Sequence, residues 1–345
     1  MKRKHETETE QVSRTDRRKE LTERIRRLLE ERGSETLKKV QEAVLEDEIE
    51  SKDICEALKH FLSYRHGFLV RPMLISVGCE AIGGRTDLVP NVATSLVLMS
   101  AGMDIHDDII DNQKKQESRR TVYGRFGQNV ALLTGDALLF KGLTKWHTLA
   151  EKLQPQAFKQ LTQMLNEAFF EVGDGEALEL AFAGRLDVKP ERYLAMVRKK
   201  AADIDLLLRI GAFLGGGTGE QADSLGRIGR SLGMLWVLND DVNDIFDEEE
   251  MKRRFNSGCV PLPLLYASNK KETKAKLRSI LKNRRINKKE ARVIREFVME
   301  TGGLGTAKKK MNNIASNMLR EIKRVPVPEK LTLLAETCLD FISQV

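Results

Sequence analysis

An all-α fold is what this sequence predicts, and three observations predict it. The chain of 345 residues is dominated by Leu, Ala, Glu, Lys and Arg, while strand-like runs of alternating Val, Ile, Thr and Tyr are scarce. Apolar residues recur at helical spacing along most of its length. Two of the most apolar helical stretches turn acidic at their C-terminal ends, where the helix dipole disfavours anions. With 41% hydrophobic residues the chain can bury a sizeable core.

The elements follow in order. Residues 1–20 are charged and have no apolar centre. They read as a disordered tail and not a signal peptide, ahead of a single helical domain over 21–345. Leu21 to Gly33 is an amphipathic pattern ending at a glycine, and Ser34 is placed to cap a second one. PMLISVGCEAIGG is a small-residue apolar helix closed by Gly83 and Gly84. NVATSLVLMSAGMDIHDDIID is long and apolar up to its acidic end, so a central buried helix is expected. NQKKQESRRTVYGR is polar and reads as a loop. QNVALLTGDALLFKGLTKWHTLAEKL is helical, and QAFKQLTQMLNEAFFEVGDGEALELAFAG is a long helix with a bend expected near Gly173 and Gly175. Another helical run starts near Pro190 and ends in a triple glycine. EQADSLGRIGRSLGMLWVLNDDVNDIFDEEE repeats the apolar-to-acidic theme, and helical patterns alternate with basic loops from about Pro261. Roughly ten to thirteen helices in one bundle is the simplest architecture.

The net charge of +7 comes mostly from residues 269–292 and Lys308 to Lys310. These read as solvated helix faces, because neither interleaved aromatics nor a nucleic-acid recognition motif accompanies them. The four cysteines are widely spaced and suit a reducing, cytoplasmic setting. No apolar run of 18 residues occurs, so no transmembrane helix is expected.

The acidic ends carry the chemistry. Asp104, Asp107, Asp108 and Asp111 fall at i, i+3, i+4 and i+7, on one helix face. Asp240, Asn243, Asp244 and Asp247 repeat that spacing, with Asp241 beside them. Like charges at this spacing destabilise a surface helix by a few tenths of a kcal/mol per pair, and far more when buried without a cation. Two such faces across a bundle suit a hard divalent cation. Magnesium takes one or two carboxylates and shares its other positions with water and phosphate oxygens. His106 lies off the stripe and reads as a packing or hydrogen-bonding residue.

DDIID at Asp107 to Asp111 and DDVND at Asp240 to Asp244 resemble the paired aspartate motifs of the trans-isoprenyl diphosphate synthases, or polyprenyl synthetases. Arg71-Pro72 matches the end of that family's GGKRxRP motif, and FGQNVALLTGDALL (Phe126 to Leu139) its FG…AxLxGDxLL helix. YLAMVRKKA (Tyr193 to Ala201) is similar to its lysine helix, with Lys200 on the lysine, and VPLPLLYA (Val260 to Ala267) to its TLPLxYA segment. The resemblance runs from about Leu37 to the C-terminus and implies an isoprenoid synthase-type bundle with a central cavity, as a homodimer or as a heteromer with another synthase subunit. It implies more than one Mg2+ ion, and ionisation of an allylic prenyl diphosphate followed by condensation with isopentenyl diphosphate. Catalytic roles would fall to Asp107, Asp108, Asp111, Lys200 and Asp240. Metal would be held by Asp107, Asp111, Asp240 and Asp244. Substrate contacts would come from Arg71, Lys200, Arg119, Arg120, Gly102 and Met103. In the family the residues four and five before the first motif floor the product pocket, so a small Gly102 implies a pocket not closed early and a product of twenty carbons or more.

The departures concentrate on the isopentenyl diphosphate side. GGKRxRP reads HGFLVRP here, with Phe68 and Leu69 where a lysine and an arginine are expected. A family histidine is Ser100, and the threonine after the lysine is Ala201. Gln116 and Glu117 align with a family Arg-Arg pair, leaving Arg119 and Arg120 as substitutes only if the loop re-routes. GEALE (Gly175 to Glu179) replaces Gly-Gln-x-x-Asp, and Cys259 stands where another lysine is expected. Each lost charge-assisted contact weakens diphosphate binding by roughly 1.5–3 kcal/mol. Three readings follow: a synthase with a rearranged second site, a non-autonomous subunit, or an enzyme that ionises the allylic diphosphate and uses another acceptor.

Overall fold

The computed structural model describes residues 2–63, 65–116, 119–268, 271–282 and 287–344. The chain opens with α1 (Lys2–Leu45), α2 (Lys52–Leu62), α3 (Arg65–Ala81) and α4 (Val89–Ile110). A short antiparallel hairpin follows, β1 (Lys115–Gln116) paired with β2 (Arg119–Arg120). Next come α5 (Val122–Phe126), α6 (Gln128–His147), α7 (Pro155–Phe182), α8 (Pro190–Lys200), α9 (Ala202–Leu214) and α10 (Gly219–Asp244). The C-terminal part is α11 (Glu248–Ser257), α12 (Leu262–Ala267), α13 (Lys271–Lys282), α14 (Lys288–Glu300), α15 (Gly303–Ile322) and α16 (Glu329–Gln344).

The all-α expectation holds, and α4 is the buried central helix that its composition predicts, with Val92 to Met99 inaccessible. The most extensive packing joins α4 to α6, α9 to α10 and α3 to α9. The described residues form sixteen α-helices, more than the ten to thirteen expected. Two reasons account for this. The five-residue α5 and six-residue α12 are too short to show a period, and the run from Pro190 breaks at Ala201 into α8 and α9.

The N-terminal half corrects two further expectations. α1 begins at Lys2 and runs through Gly33 and Ser34 without a break, where two separate helical patterns were expected. Residues 2–20 contain neither Pro nor Gly, so extending a helix anchored by buried Leu21, Leu28 and Leu37 needs only propagation. Gly33 is no cap. A Cβ there would stand 2.7 Å from Leu69 Cδ2, so its missing side chain lets α1 rest on α3. Ser34 bonds back to the Glu30 carbonyl in mid-helix. The segment read as a loop after α4 contains the β1–β2 hairpin, pinned by Thr121 Oγ1 donating to the Gln113 carbonyl at 2.7 Å. Among the described residues no helix is long and apolar enough to cross a membrane.

Candidate active site

The acidic ends of α4 and α10 open on one cavity of about 1070 Å³. All four acids of the first stripe line it: Asp104, Asp107, Asp108 and Asp111. Asp240 joins them from α10 and Asp203 from α9. Phe61, Phe68, Val70 and Trp236 supply apolar wall, and Arg71 and Arg119 supply positive charge. Next to it lies an apolar pocket of about 190 Å³ lined by Leu96, Met99, Met103, Leu165, Phe169 and Leu206. Arg71, Asp104, Asp107 and Asp203 line both. A ligand with a polyanionic head and an apolar tail fits this pairing of spaces.

Several side chains stand where the sequence alone did not place them. Arg71 lies 3.4 Å from Asp104 and 3.6 Å from Asp203, so Asp104 is the counter-charge to an arginine on α3. Phe68 and Leu69 are core residues, and the Phe68 ring meets Phe61 edge-on at 5.2 Å. Lys200 pairs with Glu176 at 3.0 Å and with Glu179. Burial opposes its charge, but the two glutamates outweigh burial and hold the ammonium above its ordinary pKa. Arg119 donates to the Ser63 carbonyl at 3.2 Å and to Ser63 Oγ at 2.8 Å, at the cavity rim. The Arg120 carbonyl accepts from His60 Nε2 at 2.7 Å. Glu117 lies outside the described residues.

Met103 lines the apolar pocket, whereas Gly102 is buried against α6. A Cβ on Gly102 would stand 2.5 Å from the Gly135 carbonyl, so its small size serves close helix packing and gives no measure of pocket depth. His106 is a hydrogen-bonding residue as predicted, with Nε2 3.4 Å from the Leu132 carbonyl and 3.3 Å from Asp136. Asp203 and Glu176 were missed. Their signal was their position: Asp203 follows Lys200 by three residues and Glu176 precedes Glu179 by three.

The second stripe divides. Asp240 faces the cavity, Asp244 pairs with Arg254 at 2.7 Å, and Asp241 is inaccessible. Asp247 caps α11 by accepting from the Glu249 and Glu250 N–H groups at 2.8 and 3.0 Å.

The cavity acids touch water yet stand deep among protein atoms and one another. Desolvation first, and then Glu176, push Asp107 up to about 7. Desolvation and then Asp104 push Asp108 up to about 7, while desolvation and then Asp244 push Asp240 up to about 6. This is a carboxylate set short of positive charge, and it fits a divalent cation. Among the described residues no three acids, histidines or cysteines already converge on one point. The missing ligands would be phosphate oxygens and water, which is the coordination magnesium prefers.

A pH dependence follows. The folded protein holds protons on Asp107 and Asp108 that the unfolded chain releases near its ordinary 3.8, so these groups favour the fold at low pH. That contribution is lost as pH rises from about 4 to about 7, and a bound cation restores it above. Magnesium is therefore expected to raise the thermal midpoint more at pH 8 than at pH 5.5. An equal rise at both pH values would contradict the assignment.

Comparison with known proteins agrees with the all-α fold. A family model described as polyprenyl synthetase matches residues 51–298. The short chain isoprenyl diphosphate synthase of Methanothermobacter thermautotrophicus is 29% identical over 204 residues, covering 59% of this chain and 62% of that one, less than two thirds of its length. The geranylgeranyl diphosphate synthase of Saccharolobus solfataricus is 26% identical over 294 residues, covering 81% of this chain and 85% of that protein. The crystal structure of the geranylgeranyl pyrophosphate synthetase from Pyrococcus horikoshii superposes with a TM-score of 0.81 at 21% identity, covering 95% of this chain and 99% of that one; at that identity the likeness is one of fold.

Proposed function

The chain belongs to the polyprenyl synthetase family, and we propose that it is a magnesium-dependent prenyltransferase that ionises an allylic prenyl diphosphate and condenses it with isopentenyl diphosphate. The observation that carries this reading is the joining of an acid-lined cavity to an apolar pocket through Asp107 and Asp104. Asp107, Asp111 and Asp240 would hold magnesium. Bound there, it would supply charge neutralisation for the departing diphosphate.

This chain's residues do the rest. Asp108 adds to the negative field that draws cations to the cavity. Met103, Leu165 and Leu206 receive the hydrocarbon tail and keep water from the allylic cation. Lys200 reaches the diphosphate when Glu176 and Glu179 release it to the stronger anion. Arg71 and Arg119 face the second substrate, whereas Arg120, next on the same strand, is not among the residues that line the cavity. Exposed Leu133 and Phe140 on α6, with Phe169 and Phe170 on α7, support assembly with a second copy or a related subunit.

A second reading has one specific observation in its favour. Phe68 and Leu69 are built into the core, and Arg71 is already matched by Asp104 and Asp203, so the acceptor side offers a second diphosphate little free positive charge. Under that reading the chain ionises or binds the allylic substrate and relies on another acceptor or on a partner subunit. The test is a turnover assay of the purified chain with magnesium, labelled isopentenyl diphosphate and allylic diphosphates of differing length. Label in an extended prenyl product supports condensation. Magnesium-dependent binding of the allylic substrate without product supports the second reading, and neither binding nor product would sink both.

A further inference from the structure

Lys200, the last residue of α8, stands between two acids of α7. Its Nζ lies 3.0 Å from Glu176 Oε2 and also pairs with Glu179. Gly175 permits this approach. A Cβ there would stand 2.9 Å from the Lys200 backbone nitrogen and 3.0 Å from Lys200 Cγ, so the bare backbone lets the end of α8 press on α7. Glu176 and Glu179, three residues apart on one helix, then close on a single ammonium. The two acids are not equivalent. Glu176 lines the apolar pocket beside Asp107, Met103 and Lys200, where a polyanionic head meets its tail. Glu179 lies outside that lining and has a second cation, with Arg254 Nη1 3.6 Å from its Oε1. Among the described residues Lys200 is the one cation paired with Glu176. Asp107 feels both members of that pair: Glu176 opposes its ionisation and Lys200 favours it.

We propose that Glu176 is a built-in competitor for Lys200: at rest it holds the ammonium, and an allylic diphosphate binds by exchanging places with it, so that Glu176 sets how tightly this chain holds that substrate. The inference rests on the allylic diphosphate reading above and deepens it. Exchange takes one of two cations from Glu179, which keeps Arg254. It takes from Glu176 the cation it has, in a pocket that Glu176 shares with Asp107. The attraction between Lys200 and the incoming anion is therefore offset by the carboxylate left behind, because a group desolvated by its surroundings loses most when its charged partner departs.

The test is binding of geranyl S-thiolodiphosphate, an allylic analogue whose carbon–sulfur bond resists ionisation, to the full chain with magnesium, read by isothermal titration calorimetry. Glu176→Gln is expected to tighten binding by at least about tenfold, and Glu179→Gln by less. Lys200→Met is expected to stay within about tenfold of the parent, because what the lysine gives the ligand it takes from Glu176. In the Lys200→Met background the gain from Glu176→Gln should shrink below about threefold, since no ammonium remains to be released. The proposal is overturned if Glu176→Gln binds no more tightly than the parent, or if Glu179→Gln gains as much. It is overturned equally if Lys200→Met loses all binding, or if the Glu176→Gln gain persists in full without the lysine, which would mark plain repulsion between carboxylate and ligand. Failure of both Glu176→Gln and Glu176→Ala to fold would also overturn it, because a competitor for ligand is dispensable to the fold. A parent protein that does not bind the analogue with magnesium would remove the allylic diphosphate reading itself, a result distinct from all of these.

Discussion

Asp107→Ala should lower magnesium-dependent turnover by at least about 10³-fold, equivalent to about 4 kcal/mol of transition-state stabilisation, and Asp240→Ala should do the same. Both side chains line the cavity at its acidic end, one from α4 and one from α10, and neither has a role in the core. Asp107 also lines the apolar pocket, so it stands where a diphosphate head would meet its hydrocarbon tail. On the proposed function, removing it takes away a metal ligand at the reacting end of the substrate. Asp107→Asn separates this role from a structural one. It deletes a carboxylate that desolvation and Glu176 already disfavour, so the metal-free protein should gain thermal stability while losing its response to magnesium. Activity and magnesium response equal to the parent's in both alanine variants would show that the metal site is elsewhere.

The first acid stripe was legible because it lies on one long helix, where spacing alone fixes the face. All four of its acids meet the cavity. The second stripe has the same spacing, yet only Asp240 lines the cavity. Its other members were taken by partners that no local pattern announces. Arg254 comes ten residues after Asp244, and its reach depends on the turn between α10 and α11. Asp247 was read as a face residue of a continuing helix, but it caps the next one. Helical spacing says which residues share a face, and it does not say where the helix ends or what the face is spent on.

Small residues were misread for a related reason. Gly33 looked like a helix end and Gly102 like an open pocket wall, since a glycine in sequence carries no mark of what approaches it. In the structure Leu69 approaches one and the Gly135 carbonyl the other. Asp104 was legible only as a member of the stripe, because its partner Arg71 is on a different helix. The departures from the family at Phe68 and Leu69 were visible as identities. Only the packing reveals that they joined the core, with Phe61 against Phe68. Phe68 lines the cavity as apolar wall, while Leu69 packs against Gly33 of α1.

Arg230→Ala is expected to cost about 3–5 kcal/mol of folding stability, the range for removing one partner from a buried ion pair. Arg230 is 9% exposed. It donates to Asp205 from Nε at 3.0 Å, to Glu171 at 2.8 and 2.9 Å, and to the Arg198 carbonyl at 2.8 Å. Those partners belong to α9, α7 and α8, and Arg230 itself to α10. The same four helices carry Asp203, Glu176, Lys200 and Asp240, so one guanidinium fixes the mutual positions of most of the site outside α4. Arg209 also pairs with Asp205 at 3.0 Å, which leaves that carboxylate one partner after the substitution and argues for the lower half of the range. Glu171 keeps some solvent contact and contributes less. Urea unfolding checks the value: the midpoint should fall at unchanged slope. Arg230→Lys should recover only part of the loss, because an ammonium cannot match two carboxylates and a carbonyl with a planar fork. A midpoint for Arg230→Ala equal to the parent's would mean that the four helices are held by their apolar contacts alone.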